Sequence, residues 1–514
     1  MTSISVTQIK NWIMQDPLLD YLNLYGDEKD KDTFAFDECN FTKYIMDKGN
    51  EYEKMVYSHI TKCFPQYSHV LITRDNFYNQ TKDAFKNKVD IILQPFIKNW
   101  DTKIFGFPDI VIKKKVLCDI FSLDRELLKA RDDDYICVDV KYSTKKSEHD
   151  NYQKFIECQV MLYGQIINKN QKQNASHAFI LFKQSLEEPE GLQHEKQHRL
   201  ELYPVLIKNK EYSDLCDMAF SWISYVRQCR EDFNLEECCP NMVELLPNMN
   251  NNMDYPWRTY KHKVAVRAKE LSLISGMGNR LRNKIHDSKY YSFVNLNAEN
   301  LKRCSRTTKL MEGFTKETTR KRKIDGVSGI KKVYIDIESC YIFDQKREVI
   351  VMMGCGYLVD GKFETHVFGI NDFDGVEKVF EEFTKFIKTL GDVTFVHFSS
   401  AENKIFNKLD IKNTEDLQQT FINLYDIDKD FNLNGLSGFS IKEIVRALHF
   451  NNLVDENPYD KTLIKSGIEV LSVYNQLYEN KLTSNKDEII NSVKKYNTAD
   501  VYSLYLLDSF LQDN

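Results

Sequence analysis

The chain has no run of 18 apolar residues, and its net charge is only −6 over 514 residues. The first absence argues against a membrane-spanning helix. The second excludes a molecule whose whole surface is one electrostatic footprint, so any surface for a polyanion must be local. The amino-terminal stretch MTSISVTQIKNWIMQDPLLDYL is amphipathic and carries acids, unlike a secretory leader. An intracellular location, cytoplasmic or nuclear, is therefore expected. The 12 cysteines include no C-x-x-C pair, which suggests scattered reduced thiols and not a disulfide framework. What is present is globular: 42% apolar and 12% aromatic residues, in a length that exceeds a single core and implies two or three domains.

Chemistry-bearing residues concentrate first in GFPDIVIKK, YICVDVKYST and ECQVMLYGQ. Pro108-Asp109 is expected on one strand and Asp139-x-Lys141 on the next, 30 residues later; Gln159 and Tyr163 follow on a helix, one turn apart. Alternation through Tyr135–Tyr142 puts Asp139 and Lys141 on one strand face. A charged pair on an apolar strand is costly to bury unless something compensates it. Taken alone, D-x-K is an incidental surface pair. With the flanking elements it becomes the minimum kit for metal-dependent phosphodiester hydrolysis: carboxylates for a hard divalent cation, and a lysine for the attacking water or developing charge. Upstream, residues 48–56 predict a helix with Tyr52, Met55 and Val56 as its buried face and Glu53 beside them.

The second half repeats the theme. Lys332–Glu338 predicts a strand that places Asp336 and Glu338 on one face. Val393–Phe398 predicts another, leading to Glu402, and Tyr496–Asp500 is expected to open an apolar helix, VYSLYLLDSFL, with Tyr496 and Asp500 as i,i+4 neighbours. Asp426 or Asp428 is the alternative to Glu402. Between the halves, NMVELLPNMNNNMDYPW is Asn- and Pro-rich and reads as a linker or loop. After it, Glu270–Arg282 predicts a helix, a Gly276-x-Gly278 hairpin and a second helix with Arg280, Arg282 and Lys284. That pattern suits phosphate contact through backbone N–H groups and basic side chains, and equally suits a plain helical hairpin. The run Arg320-Lys321-Arg322-Lys323 suits a phosphate-contacting linker or a localisation signal, although a merely solvated linker is the commonest meaning of such runs.

The first group of motifs resembles the RecB-like branch of the PD-(D/E)XK nucleases. There, metal ligands come from an early helix, the Pro-Asp strand and the D/E-x-K strand, and a Q-x-x-x-Y helix packs over the site. The resemblance assigns metal binding to Glu53, Asp109 and Asp139, with catalytic support from Lys141, Gln159 and Tyr163. Many members carry a histidine where this chain has Glu53. The second group is similar to the DEDD exonucleases of the RNase H-like fold: Asp336, Glu338, Glu402 and Asp500 as metal ligands, Tyr496 orienting water, and Phe439-Ser440-Ile441-Lys442-Glu443-Ile444 matching a helix start before the last motif. Some RecB-like exonucleases hold an iron–sulfur cluster, and Cys39 with Cys229, Cys238 and Cys239 is loosely comparable. Buried or incidental thiols are the better reading, because the spacing does not match.

The order of parts resembles a predicted nuclease family of bacteria, archaea and large DNA viruses. The expected architecture is α/β: a PD-(D/E)XK restriction-endonuclease-like domain over 1–235, a helical helix–hairpin–helix-like connector over 236–327, and an RNase H-like domain over 328–514. The expected function is Mg2+- or Mn2+-dependent, exonucleolytic hydrolysis of single- or double-stranded DNA in repair, recombination or replication, with RNA left open as a substrate. The competing class is a nucleic-acid-binding or recruitment protein in which one or both nuclease folds are inactive.

Overall fold

The computed structural model describes residues 3–147, 149–183, 202–228, 233–235, 242–274, 277–293, 331–342, 347–398, 402, 420–424, 440–482 and 485–512. Among them the chain is α/β, with 13 helices and three mixed sheets. It divides into two compact units, residues 1–32 with 45–270, and residues 33–44 with 271–514. The division at 270 differs from the expected boundary at 235, and residues 33–44 belong with the carboxy-terminal half. No described helix is long and apolar enough to cross a membrane.

The first unit contains strands β1 (Ile4–Ser5), β2 (His69–Leu71), β3 (Ile91–Leu93), β4 (Ile97–Asn99), β5 (Ile104–Gly106), β6 (Ile110–Lys113), β7 (Tyr135–Lys141), β8 (His177–Phe182) and β9 (Leu202–Leu206). Its helices are α1 (Lys10–Ile13), α2 (Leu18–Tyr25), α3 (Phe41–Cys63, from Ile45 onward), α4 (Phe77–Lys86), α5 (Lys114–Phe121), α6 (Asn151–Gln171), α7 (Lys210–Gln228) and α8 (Arg258–Ala268). The main sheet runs β2-β3-β6-β7-β8-β9, and a small one runs β1-β5-β4. In the middle of the main sheet, β7 pairs antiparallel with β6 and parallel with β8, and it is buried except at Lys141. Such a strand needs apolar residues on both faces, which Tyr135–Val138 supply. Helix α6 starts where Asp150 accepts the Tyr152 and Gln153 N–H groups, and it buries Ile156, Val160, Met161 and Tyr163.

On α3 the buried face runs through Tyr52, Val56, Tyr57 and Ile60. Met55, expected there, is exposed. Pro108 and Asp109 lie just ahead of β6 and not on it. The antiparallel register pairs Ile110 with Val138, so one step further sets Asp109 opposite Asp139.

The stretch read as a linker is instead built into this unit. Asn248, Asn251, Asp254 and Trp257 are buried, and the Trp257 indole donates to Asn23 Oδ1 at 2.8 Å. Their focus is Lys261, fully buried on α8. Its ammonium contacts Asp16 at 2.8 Å, Asp254, and the carbonyls of Asn248 and Asn251 at 3.0 and 3.1 Å. Asp16 also accepts from the Asn248 N–H and the Asn251 amide. Polar composition suggested solvent; here the polar groups solvate one buried ammonium in place of water. Removing that ammonium would strand two buried carboxylates. Lys261→Met should lower unfolding free energy by about 3–5 kcal/mol in a denaturant titration. A loss under about 1 kcal/mol would mean the network is peripheral to stability.

The second unit has one sheet, ordered β12-β11-β10-β13-β14, from β10 (Lys331–Ile342), β11 (Arg347–Val359), β12 (Lys362–Gly369), β13 (Val393–His397) and β14 (Thr420–Asn423). Central β10 pairs antiparallel with β11 and parallel with β13. A bulge follows Glu338, where the β10–β11 register shifts. Its helices are α9 (Asn279–Asp287), α10 (Val376–Leu390), α11 (Ile441–Phe450), α12 (Gly467–Tyr478) and α13 (Lys486–Gln512). Helices α12 and α13 pack on β10, and α10 on β11. Tyr496 and Asp500 therefore sit inside a long helix and not at its start.

Residues 33–44 form a strap on this unit. Cys39 is buried in its core, with Phe34 and Phe36 packed beside it. Ser472 and Gln476 both donate to the Glu38 carbonyl at 2.7 Å, and the Tyr44 hydroxyl donates to Glu479 at 2.7 Å. A fragment starting at residue 328 would lack this apolar contribution.

Candidate metal centres

In the first unit, Asp139 projects from β7 and its Oδ2 lies 2.6 Å from the Lys141 ammonium. Asp109 Oδ2 accepts the Val140 N–H at 2.6 Å, which ties its position to the strand carrying Asp139. Helix α3 supplies Glu53, which accepts from the Tyr57 hydroxyl one turn later and from the Gln94 amide. That same amide reaches Asp109 Oδ1 at 3.1 Å and the Tyr57 oxygen at 2.9 Å. Gln94 follows β3 with φ of 54°, and its N–H donates to the Asp109 carbonyl at 2.9 Å. The Tyr57 hydroxyl also lies 3.0 Å from that carbonyl.

Behind these groups, the Gln159 amide donates to the Tyr163 hydroxyl at 3.1 Å, and both side chains are buried. Tyr163 fits because Gly106 has no side chain; a Cβ there would stand 2.3 Å from the ring. Burial and the Asp139 charge hold the Asp109 carboxyl well above its ordinary pKa, against the pull of Lys141. Burial alone would lower the Lys141 ammonium, but Asp139 and Asp109 together raise it.

Glu53, Asp109, Asp139 and Lys141 are thus assembled around one another. Their oxygens, however, are engaged by Gln94, Tyr57, Val140 and Lys141. No three of these acids bring ligand atoms within 4.8 Å of one another.

The second unit differs. Among the described residues, one group of three acids has ligand atoms all within 4.8 Å of one another: Asp336, Glu338 and Asp500. The D-x-E spacing sets the first two on one face of β10, and α13 brings the third across. Tyr459 and Tyr496 donate to Asp500, the latter from one turn earlier on α13. The Asn497 amide donates to Asp336 Oδ2 at 2.6 Å. Gly354, opposite Asp336 in the β10–β11 register, makes that reach available; a Cβ there would stand 2.0 Å from Asn497 Oδ1.

Ser440 and Glu443 form a capping box that starts α11 at Ile441. Two residues after the cap, the Lys442 ammonium donates to the Tyr496 hydroxyl at 3.3 Å and lies over the Tyr496 and Tyr459 rings, 4.7 and 5.0 Å from their centroids.

The carboxyl groups raise one another. Burial and the Asp500 charge push Glu338 up to about 8, with Lys442 opposing. Burial brings Asp500 up to about 6 despite the hydroxyls of Tyr459 and Tyr496 and the Lys442 charge. Asp336 is held well above its ordinary value by burial and by Asp500, Glu338 and Glu402. Glu402 therefore faces the cluster, 3.8 Å from the buried His397 ring, although it is not one of the three closest acids. Asp426 and Asp428 lie outside the described residues. Three oxygen donors that repel one another when ionised suit a hard divalent cation such as Mg2+ or Mn2+. No protein-family model matches this chain, and neither does any curated protein.

The connector and the cysteines part from expectation. Glu270–Ser275 was expected to be a helix, but Leu271–Leu273 form only a short 3-10 turn. Gly276 lies outside the described residues, and Gly278 caps α9 with an ordinary φ of −70°. Arg280 and Lys284 are exposed on α9, but Arg282 is buried and does not present a phosphate-facing group. Cys39 is packed in an apolar core, where burial pushes its thiol up to about 12. Cys229, Cys238 and Cys239 lie outside the described residues, as do Phe439 and the run 320–323.

Sequence reasoning missed Gln94, Tyr57, Asn497 and Tyr459, and read Lys442 only as part of a helix start. Tyr57 and Asn497 could have been found one turn from Glu53 and one residue after Tyr496. Gln94 and Tyr459 left no such trace.

Folded Asp336, Glu338 and Asp500 bind protons more tightly than unfolded carboxyls near pH 4. The stability this adds is fully present below about pH 4 and is lost as pH rises through about 6 to 8. In chelator, the melting temperature should fall from pH 5 to pH 8; Mn2+ should restore it at pH 8, and Asp336→Asn should blunt both effects. A wild-type pH slope unaffected by Mn2+ would count against a cation site. Gly354→Ala leaves all three acids in place but displaces Asn497, and it should weaken Mn2+ binding by roughly tenfold. An unchanged titration would show that Asn497 does not orient Asp336.

Proposed function

We propose that the protein is a divalent-metal-dependent nuclease that hydrolyses phosphodiester bonds of DNA, with its principal centre at Asp336, Glu338 and Asp500. The observation that carries this reading is the convergence of those acids, drawn from a central strand and a helix more than 150 residues apart, to within 4.8 Å. We further propose that the second unit is an RNase H-like domain of the DEDD kind and the first a PD-(D/E)XK domain. The D-x-E strand at the centre of a mixed sheet supports the former. The Asp109, Asp139 and Lys141 constellation under a Gln159–Tyr163 helix supports the latter.

At the principal centre, Asp336, Glu338 and Asp500 would hold the cation, with Glu402 as a further acid. A cation bound there would polarise a phosphate oxygen and make an attacking water more acidic. The chain's own part is positional. Asn497 fixes the Asp336 carboxylate, Tyr459 and Tyr496 fix Asp500, and Lys442 holds the Tyr496 hydroxyl and adds positive charge beside the cluster. Those groups are in place before substrate arrives, which is how a site favours charge developing in the transition state.

The self-bonded acids of the first unit favour a specific second reading, in which only the second unit cuts and the first grips substrate. Purified protein with Mg2+ or Mn2+ on end-labelled single- and double-stranded DNA and RNA separates the two. Asp500→Asn should reduce cleavage by about 10²–10³-fold without loss of folding. Asp109→Ala and Lys141→Ala should remove any remaining, separable activity if the first unit also cuts. Wild-type cleavage of every substrate by Asp500→Asn would overturn the principal assignment, and cleavage of none by the unaltered protein would overturn the enzyme reading.

A further inference from the structure

The first unit carries a row of aromatic rings that it does not bury. Strands β4 and β5 form an antiparallel hairpin, and Trp100 stands at its tip. From there the ring centroids step 5.8 Å to Tyr78 on α4, then 6.4 Å to Phe96 and 5.3 Å to Phe107. Phe96 is half-buried and anchors the row, but Trp100, Tyr78 and Phe107 remain 59%, 44% and 39% exposed. A contiguous group of exposed large apolar side chains marks a binding surface.

The row is held in place before anything binds. Asn99 accepts the Asp101 and Thr102 N–H groups at 3.1 and 3.4 Å, which closes the turn that carries Trp100. From α6, Lys169 donates to the same Asn99 oxygen at 3.1 Å, and Asn170 donates to the Lys98 carbonyl at 3.1 Å. The Phe96 N–H is fixed by the Thr81 hydroxyl of α4 at 3.0 Å. Rings presented on a clamped hairpin lose little freedom on binding.

Cations sit among the rings. The Lys98 ammonium lies 4.6 Å from the Trp100 ring centroid, Lys82 follows Tyr78 by one helical turn, and Arg74 is exposed just ahead of α4. Of the acids nearby, Asp101 is paired with Lys169, whereas Asp75 and Asp83 are exposed. The other end of the row meets the first acidic centre. Phe107 stands two residues before Asp109, and Phe96 two residues after Gln94, whose amide joins Glu53 to Asp109. Flat rings interleaved with cations match a polymer of flat bases and phosphates. Stacking needs bases whose faces are free, which a single strand offers and a duplex does not. An apolar peptide would use the rings but not the lysines.

We propose that this row is a stacking platform for single-stranded DNA, leading unpaired bases to the Asp109, Asp139 and Lys141 centre. The choice of a nucleic acid rests on the nuclease reading, in which the first unit either cuts the strand or grips it. Binding at the rings needs no metal.

The test is fluorescence anisotropy of the full chain in chelator, so that hydrolysis plays no part, with a labelled oligo-dT of about 15 nucleotides. The single strand should bind at least about tenfold tighter than a duplex of the same length. Trp100→Ala should weaken it about 5–100-fold, the loss of one stacked base, and Tyr78→Ala should act the same way. Trp100→Phe, which keeps a ring, should recover most of the loss. Both positions are exposed, so melting temperatures should match the unaltered protein. Duplex bound as tightly as single strand would overturn the proposal, as would single-strand affinity indifferent to Trp100→Ala and Tyr78→Ala. Dimerisation that depends on Trp100, without strand binding, would assign the row to a second copy of the chain and overturn it too. Ring-dependent binding by a protein that cleaves no nucleic acid would sustain the platform and sink the nuclease reading; cleavage without ring-dependent binding would do the reverse.

Discussion

Mutual repulsion among Asp336, Glu338 and Asp500 is the constraint around which the second unit is arranged. Three carboxyl groups within 4.8 Å cannot all ionise at neutral pH unless positive charge joins them. Each neighbouring feature either fixes one of them or moderates the repulsion. The β10 bulge comes directly after Glu338, Gly354 clears room for Asn497, and two tyrosines hold Asp500. Lys442 provides a cation at short range, yet it is also burdened by burial, which lowers its own pKa. A lysine is a compact charge on a flexible stem; it can relieve part of the repulsion but cannot bridge three oxygens as a divalent ion can.

The first unit solves a related problem in the opposite way. Asp139 is matched by Lys141, and Asp109 and Glu53 are linked by one glutamine amide and one tyrosine. Hydrogen bonds and an ion pair replace what a cation would do. The two centres match in composition, three acids and one lysine each, and differ in how the lysine is used: Lys141 pairs directly with Asp139, whereas Lys442 bonds the Tyr496 hydroxyl.

Much of this was legible because it follows from local periodicity. Two-residue alternation placed Asp139 with Lys141 and Asp336 with Glu338, and the helical repeat placed Tyr496 with Asp500 and Gln159 with Tyr163. What stayed hidden depends on tertiary context. Gln94 acts through a left-handed turn after a three-residue strand, and Tyr459 through a short 3-10 segment; neither carries a periodic signal. The Asn-rich stretch misled because composition records polarity but not the partner, and Asn248 and Asn251 face Lys261 and not water. Met55 misled because neighbouring positions on α3 point in different directions, and the buried side of the helix runs through Tyr52, Val56, Tyr57 and Ile60.

The strap of residues 33–44 has a consequence for the protein's birth on the ribosome. Glu38 is hydrogen-bonded to Ser472, 434 residues later in the chain. At 5–20 residues per second the strap waits roughly 20–90 s for its partners to be synthesised. For that interval Phe34, Phe36 and Cys39 have no core to enter, and the loop that must eventually close is among the longest the chain allows. Completion of the second unit therefore waits until residue 472 and its neighbours have been made. A chain cut short before residue 472 would leave those apolar side chains exposed to chaperones, to proteases and to other chains.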